Sequence, residues 1–324
     1  MMASVQANYF LTLRHRRGLK MIFGMRGIGK GMQLRDFREA LLLEGVSSSR
    51  ILYLDAESPL VRRCATCEQF MILVHQSLPS DGVSFLLIRE AGSLPDAETT
   101  LGMLAASSRY DVYVTLSSRQ LLASGLGKCL SEGLSLRVLP PPEAMPMPTE
   151  RALALWNTIF LRDVLSPQRI LDVGLISRAA GYLSDNLGDP ISLRQVAAAV
   201  SPTGRLISPH TTAAYLDALA DAFLVEKAVR FDLAEDAPQS TRYCYFFTSL
   251  ELRNAQFGAA PNREIERARL NAAWIRLRRA YDNVFIASGS KLVNFVTRAK
   301  GVTTFWRVAE SGLQTIARNQ FIAG

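Results

Sequence analysis

The chain is poor in the residues that build metal centres and disulfide frameworks: it has four cysteines and three histidines in 324 residues. Cys129 and Cys244 stand alone, and His15, His75 and His210 are scattered, so no disulfide scaffold is expected. Cys64 and Cys67 form a C-x-x-C, but no second pair completes a zinc site, and the two read as structural residues at a helix start. No apolar run approaches the roughly 20 residues that a membrane helix needs. In Asn8–Lys20 the basic Arg14, His15, Arg16 and Arg17 follow the apolar Tyr9, Phe10 and Leu11, the wrong order for a secretory signal. These absences predict a cytoplasmic protein with no membrane partner. Internal repeats and low-complexity tracts are missing too.

What the chain does have is an ordinary globular composition, a length suited to two or three domains, and an excess of positive charge. The 37 Lys and Arg residues against 29 Asp and Glu leave a formal charge of +8, which keeps nucleic acid among the candidate partners. The excess gathers near the C-terminus, in Arg263, Arg267, Arg269, Arg276, Arg278, Arg279, Lys291, Arg298, Lys300 and Arg307. Glu264, Glu266 and Asp282 oppose them. A solvated basic face is the plain alternative.

Hydrophobic patterning predicts strands at Lys20–Phe23, Ile51–Leu54, Val83–Ile88 and Asp111–Thr115. They alternate with helical stretches at Met32–Leu43, Phe70–Leu78 and Leu101–Ala106. Near-continuous apolar strands between helices predict a parallel sheet covered on both faces. Pro140, Pro141, Pro142, Pro146 and Pro148 then mark a boundary. Beyond it, Ser192-Leu193-Arg194-Gln195 is a capping box, and Ser208 followed by Pro209 opens a second helix to about Phe223. Strand-like Leu224–Val229 and Tyr243–Phe247 follow, an order that suggests a winged helix. A basic helix from Asn262 to Arg279 and strands near Val284–Ala287, Leu292–Thr297 and Thr303–Val308 complete the chain. The fold class is thus α/β: a P-loop domain at 1–142, a winged-helix segment at 143–235 and a small α/β lobe at 236–324.

The segment Gly24-Met25-Arg26-Gly27-Ile28-Gly29-Lys30-Gly31 satisfies G-x-x-x-x-G-K between a strand and a helix. Such glycines let backbone N–H groups turn inward around phosphate oxygens, and the helix start adds favourable partial charge. Gly24, Met25, Gly27, Ile28, Gly29, Lys30, Gly31 and Met32 are the candidate nucleotide-binding residues, with Lys30 reaching the β- and γ-phosphates. At the motif's last position Gly31 replaces the Ser or Thr whose hydroxyl binds Mg²⁺. The run Phe85-Leu86-Leu87-Ile88 leads into Arg89-Glu90, so an arginine stands where a metal-binding Asp is expected. Glu90 is the candidate catalytic carboxylate for activating water. In Thr115-Leu116-Ser117-Ser118, Ser117 could sense the γ-phosphate, or the serines could form a simple turn.

The order P-loop, degenerate acidic strand end, serine turn, proline hinge, winged helix and basic lobe resembles the archaeal-type AAA-plus ATPases of bacteria and archaea. The resemblance covers nearly the whole chain. It includes Lys20–Arg26, Asp111–Thr115, Val138–Pro140, Tyr182–Gly188, Tyr215–Leu219, Leu252–Ala255 and Val293–Val296. It implies a C-terminal domain of nuclease-like fold. The family usually has Arg at Gly27, Ser or Thr at Gly31, Asp at Arg89, Gly at Leu116 and often Gly-Arg at Gly133-Leu134. Its lobe carboxylates fall at Leu270, Leu292 and Asn294, and without them metal-dependent cleavage of DNA is not expected.

The expected function is ATP or ADP binding that acts as a conformational switch, with weak or absent hydrolysis and an uncertain need for Mg²⁺. One alternative is a non-specific DNA- or RNA-binding protein with a relic P-loop, binding through the C-terminal lobe. Another is an active ATPase that recruits Mg²⁺ through water and phosphate alone. The helix after Ser208 carries Asp217 and Asp221 and no Lys or Arg, so it is not expected to read bases.

Overall fold

The structure is a computed structural model that describes residues 10–16, 18–123, 134–137, 147–168, 170, 172, 173–201, 207–258 and 263–321. Cys129, Gly133, the Val138–Pro140 segment and the prolines at 140, 141, 142 and 146 lie outside the described residues. The chain divides into two compact units, Met1–Val138 and Leu139–Gly324.

In the first unit, β1 (Lys20–Phe23), β2 (Ile51–Asp55), β3 (Ser84–Arg89), β4 (Tyr110–Leu116) and β5 (Leu134–Arg137) form a sheet in the order β2-β3-β4-β1-β5. Every pairing in it is parallel. The period-two alternation of a strand explains how one run of apolar residues feeds two cores. From β3, Leu86 and Ile88 join Phe70 and Val74 of α2 (Cys67–Ser77) and Leu101 and Leu104 of α3 (Ala97–Ala106). Phe85 and Leu87 point the other way, to Leu34, Phe37 and Leu41 of α1 (Lys30–Leu43). Thr66 caps α2 by accepting from Gln69 N, and the helix begins at Cys67, three residues before its expected start. Cys67 is buried, with Sγ 3.3 Å from Met103 Sδ, while Cys64 is partly exposed. Lys20 and Asp111 open β1 and β4 as a fully buried ion pair at 2.5 Å, and His15 N adds a 2.7 Å bond to the same carboxylate. Periodicity gave no hint of this pair, because Lys20 reads as the polar edge of a strand.

The second unit starts with α4 (Thr149–Ile159), which continues as a π-helical stretch over Phe160–Leu165. Then come α5 (Val173–Asp185), α6 (Leu193–Val200) and α7 (Pro209–Asp221). The capping box of α6 is formed in both directions, Gln195 N to Ser192 Oγ and Ser192 N to Gln195 Oε1. Ser208 caps α7 through Thr211 N at 3.0 Å. The hairpin of β6 (Val225–Asp232) and β7 (Ala237–Phe247) follows, and Ile191 makes an antiparallel bridge to Tyr243 on it.

This hairpin spans the position 235/236 where the sequence suggested a boundary, and its sheet continues into the C-terminal strands. After α8 (Leu250–Phe257) and α9 (Arg263–Ala280) come β8 (Asn283–Ser288), β9 (Phe295–Ala299), β10 (Val302–Ala309) and β11 (Gly312–Ile316). The sheet order is β11-β10-β9-β8-β6-β7, with β6 and β8 parallel. Trp274 and Leu277 of α9 pack on Ala228, Cys244, Phe246 and Phe295 of this sheet, and Trp274 stacks on Phe246 with ring centroids 4.8 Å apart. The shared sheet is a long-range pairing, which local patterning does not encode. β9 begins at Phe295, so Leu292 is outside it and exposed. Asn294 is a structural link, its Oδ1 accepting from Val308 N at 2.7 Å, and Leu270 packs at the edge of the core under α9.

Candidate functional site

The loop from Gly24 to Gly29 joins the end of β1 to the start of α1. It turns back on itself because Gly27 and Gly29 adopt φ of 83° and 92°, a left-handed conformation that glycine enters without steric cost. Gly29 is the N-cap of α1, and a Cβ placed on it would have nothing within 4 Å. Its glycine is therefore required by conformation and not by space. Gly29 O accepts from Met32 N at 2.9 Å and Gln33 N at 3.1 Å, which starts the helix. Met32 itself is exposed, Ile28 and Gly31 are half-buried, and Met25 is buried beneath the loop. Gly24 N donates to Leu116 O at 3.2 Å and ties the loop to the end of β4.

Sheet order decides what Lys30 meets. Because β4 lies between β1 and β3, Ser117 just beyond β4 falls between Lys30 of the loop and Glu90 just beyond β3. Lys30 Nζ donates to Ser117 Oγ at 2.9 Å, and Ser117 Oγ donates to Glu90 Oε1 at 2.9 Å. Lys30 Nζ also donates to Gly24 O and Met25 O, both at 2.9 Å, and lies 3.9 Å from Glu90 Oε1. All three side chains are buried. Glu90 has φ 52°, a strained backbone for a residue with a Cβ, and its N–H donates to Thr115 Oγ1 at 2.9 Å. The structure thus brings together Lys30, Ser117 and Glu90, which lie far apart in the chain.

Three further residues complete the site and were not singled out from sequence. Arg26, nearly buried, lies 3.1 Å from Glu57 Oε2 and 3.7 Å from Glu90 Oε2, so it spans the loop and the acidic strand end. Asp55 closes β2 directly beside Arg89 in register, and the two side chains are paired. Asp55 Oδ1 accepts from Glu57 N at 3.0 Å. The one available signal was Ile51-Leu52-Tyr53-Leu54-Asp55, an apolar run ending in a carboxylate next to the strand that lacks one.

The donor set does not suit a divalent cation. Gly31 carries no oxygen on its side chain, and a Cβ there would lie 3.1 Å from Arg89 Cδ and 3.2 Å from its Nε. The aliphatic stem and guanidinium of Arg89 therefore occupy the space beside the helix start where a hydroxyl ligand would project. Asp55, which closes the neighbouring strand, is already engaged by that cation. Among the described residues no group of three or more His, Cys, Asp or Glu could hold a metal ion.

A parallel sheet covered on both faces, with a glycine turn and lysine at the start of the helix after its first charted strand, defines a P-loop domain. Residues 16–142 match the model of the AAA domain family. Over those residues the N-terminal unit is similar to an AAA domain, and the match spans less than half of the chain. An uncharacterized protein of Haemophilus influenzae is 24% identical over 329 aligned positions, covering 90% of this chain and 82% of the relative. Among solved structures, the chain is similar to a Walker-type ATPase of Pyrococcus abyssi at 10% identity and a TM-score of 0.43, covering 79% of this chain and 95% of that one. Domain III of the replication initiation protein DnaA from Thermotoga maritima matches at 15% identity and a TM-score of 0.31, covering 60% of this chain and 90% of that one.

Proposed function

We propose that this protein binds ATP and ADP at the loop Gly24–Gly31 and uses the bound nucleotide as a conformational switch, with little or no hydrolysis. The observation that supports it best is the line Lys30–Ser117–Glu90, in which one hydroxyl links the phosphate-binding lysine to the candidate catalytic carboxylate. A phosphate drawn to Lys30 would compete for the bonds that Lys30 makes to Gly24 O, Met25 O and Ser117. Glu90 would feel the change through Ser117. Hydrolysis is disfavoured because Glu90 is occupied: Oε1 accepts from Ser117 and Oε2 lies 3.7 Å from Arg26. To orient a water it would have to leave these partners and Lys30 Nζ, 3.9 Å from Oε1.

Titration calorimetry with ATP and ADP, alongside a phosphate-release assay, tests this reading. Saturable binding of both nucleotides with phosphate release at background is the expected result, and brisk turnover would contradict the switch.

For the second unit, the succession α5, α6, α7, hairpin, with Ile191 bridged to Tyr243, supports a winged-helix reading. The β8–β11 strands with α9 are read as the nuclease-like lobe, without cleavage chemistry. A second function, non-specific binding of DNA or RNA, is favoured only by the exposed Arg276, Lys291, Lys300 and Arg307 of that unit. A cytoplasmic location fits an ATP-binding switch, and no helix among the described residues is long and apolar enough to cross a membrane.

A further inference from the structure

We infer that Arg89 takes the place of the divalent cation at this site, moving from Asp55 to the phosphates of a nucleoside triphosphate, so that nucleotide binds without metal. The inference rests on reading the loop as a nucleotide site. Its basis is a fit between two positions that each depart from the usual pattern. Gly31 lacks the side chain that would meet Arg89, and Arg89 fills the room so created, with Cδ and Nε 3.1 and 3.2 Å from where a Cβ would stand. One change removes the ligand and the other supplies a positive charge at the same spot. A guanidinium also presents a fork of donors that matches phosphate oxygens, which an ammonium does not.

The charge is held in readiness and not locked. Asp55 pairs with Arg89, but the side chains are 29% and 41% exposed. Ion pairs open to solvent contribute little stability, because water competes well for both partners. A polyphosphate brings more negative charge than one carboxylate, and it would sit against the start of α1, where the helix dipole favours it. Asp55 need not move when Arg89 leaves, since its Oδ1 keeps the bond from Glu57 N at 3.0 Å. Arg26 does not serve this purpose as readily, being nearly buried between Glu57 and Glu90.

The test is calorimetric titration of the full chain with ATP, in excess EDTA and in Mg²⁺. Affinity in EDTA within about a factor of three of that in Mg²⁺ is expected. Arg89→Gln, which keeps the stem and removes the charge, should weaken binding in EDTA by about tenfold or more. Asp55→Asn should act in the opposite direction and tighten it, because Arg89 no longer has a competing anion while the bond from Glu57 N is kept. A purely structural Asp55–Arg89 pair would weaken binding in both variants, or in neither, and that result would overturn the inference. So would binding that disappears in EDTA. Lys30→Ala separates the two levels of the argument: if it binds ATP as well as the parent, the nucleotide reading itself is wrong, whereas loss in Lys30→Ala with metal-dependent binding in the parent defeats only the role given to Arg89.

Discussion

Lys30 is the residue on which the nucleotide reading stands. It is buried, and its ammonium donates to two backbone carbonyls and a serine hydroxyl, so its position is set before any ligand arrives. On the proposed reading, replacing it by alanine removes a charge-assisted contact to phosphate worth about 1.5–3 kcal/mol. Calorimetry on Lys30→Ala should therefore show ATP affinity weakened by about ten- to a hundredfold. Gly31 allows a sharper experiment at the same scale. Threonine alone would push against Arg89, whose flexible side chain can yield by a few tenths of an ångström, so the domain should still fold. Metal-free binding should fall because the guanidinium is displaced. Adding Arg89→Asp to Gly31→Thr should then create a requirement for Mg²⁺, seen as binding that EDTA abolishes. A double variant indifferent to Mg²⁺ would show that the strand ends are not placed as described.

At the scale of the element, the basic helix α9 divides into side chains that hold it in place and side chains that face water. Arg278 lies 3.2 Å from Glu226 Oε2, which also accepts from Trp274 Nε1 at 3.0 Å, and Glu226 is buried. Burial lowers the pKa of Arg278, with Asp282 opposing the shift. Arg267 pairs with Asp189, and Arg298 with Asp236. The cluster is therefore less of a free patch than its composition suggested, and Arg278 is a poor choice for probing nucleic acid. Arg278→Glu would face Glu226 with a second buried anion. Breaking a buried pair in this way costs about 3–5 kcal/mol, which should appear as a large drop in the denaturant midpoint of the second unit. Arg276→Glu sits on the exposed face and should change stability by less than about 0.5 kcal/mol. If the protein binds DNA, Arg276→Glu with Arg307→Glu should weaken it equally for all sequences and flatten its salt dependence. Sequence-specific binding lost on changing Thr211 or Thr212 would instead point to α7.

For the whole molecule, stability should fall in alkali. Burial pushes the Cys244 thiol up to about 12, with Arg230 opposing the shift, and the buried Tyr245 and Tyr113 hydroxyls are raised by burial as well. All three are neutral in the folded chain. The unfolded thiol loses its proton from about pH 8.5, and unfolded tyrosine from about 10. Between those values and the higher folded ones the unfolded state binds fewer protons, so stability must fall as pH rises. Below pH 8 these groups contribute no slope. Urea titrations from pH 8 to 11 should show the midpoint for the second unit declining from about pH 9, and Cys244→Ala should delay the onset towards 10. A flat profile in the parent would mean that Cys244 is not sealed in the sheet core.

The sequence by itself determined the local structure of this protein. A glycine turn that needs left-handed backbone, the capping residues Thr66, Ser192 and Ser208, and strands apolar on both faces are each specified by neighbours within a few residues. Near-complete strands at Lys20–Phe23 and Ile51–Leu54 followed from that. The loop and the loss of hydroxyl and carboxylate at Gly31 and Arg89 were likewise open to reading. What only the tertiary structure decided is which distant residues stand together. The placement of β4 between β1 and β3 put Ser117 between Lys30 and Glu90, and the pairing of β2 with β3 put Asp55 beside Arg89. The single sheet joining the hairpin to β8–β11 has the same origin. Strand order is set by the burial of whole faces, a property of the assembled core that no short window of residues contains.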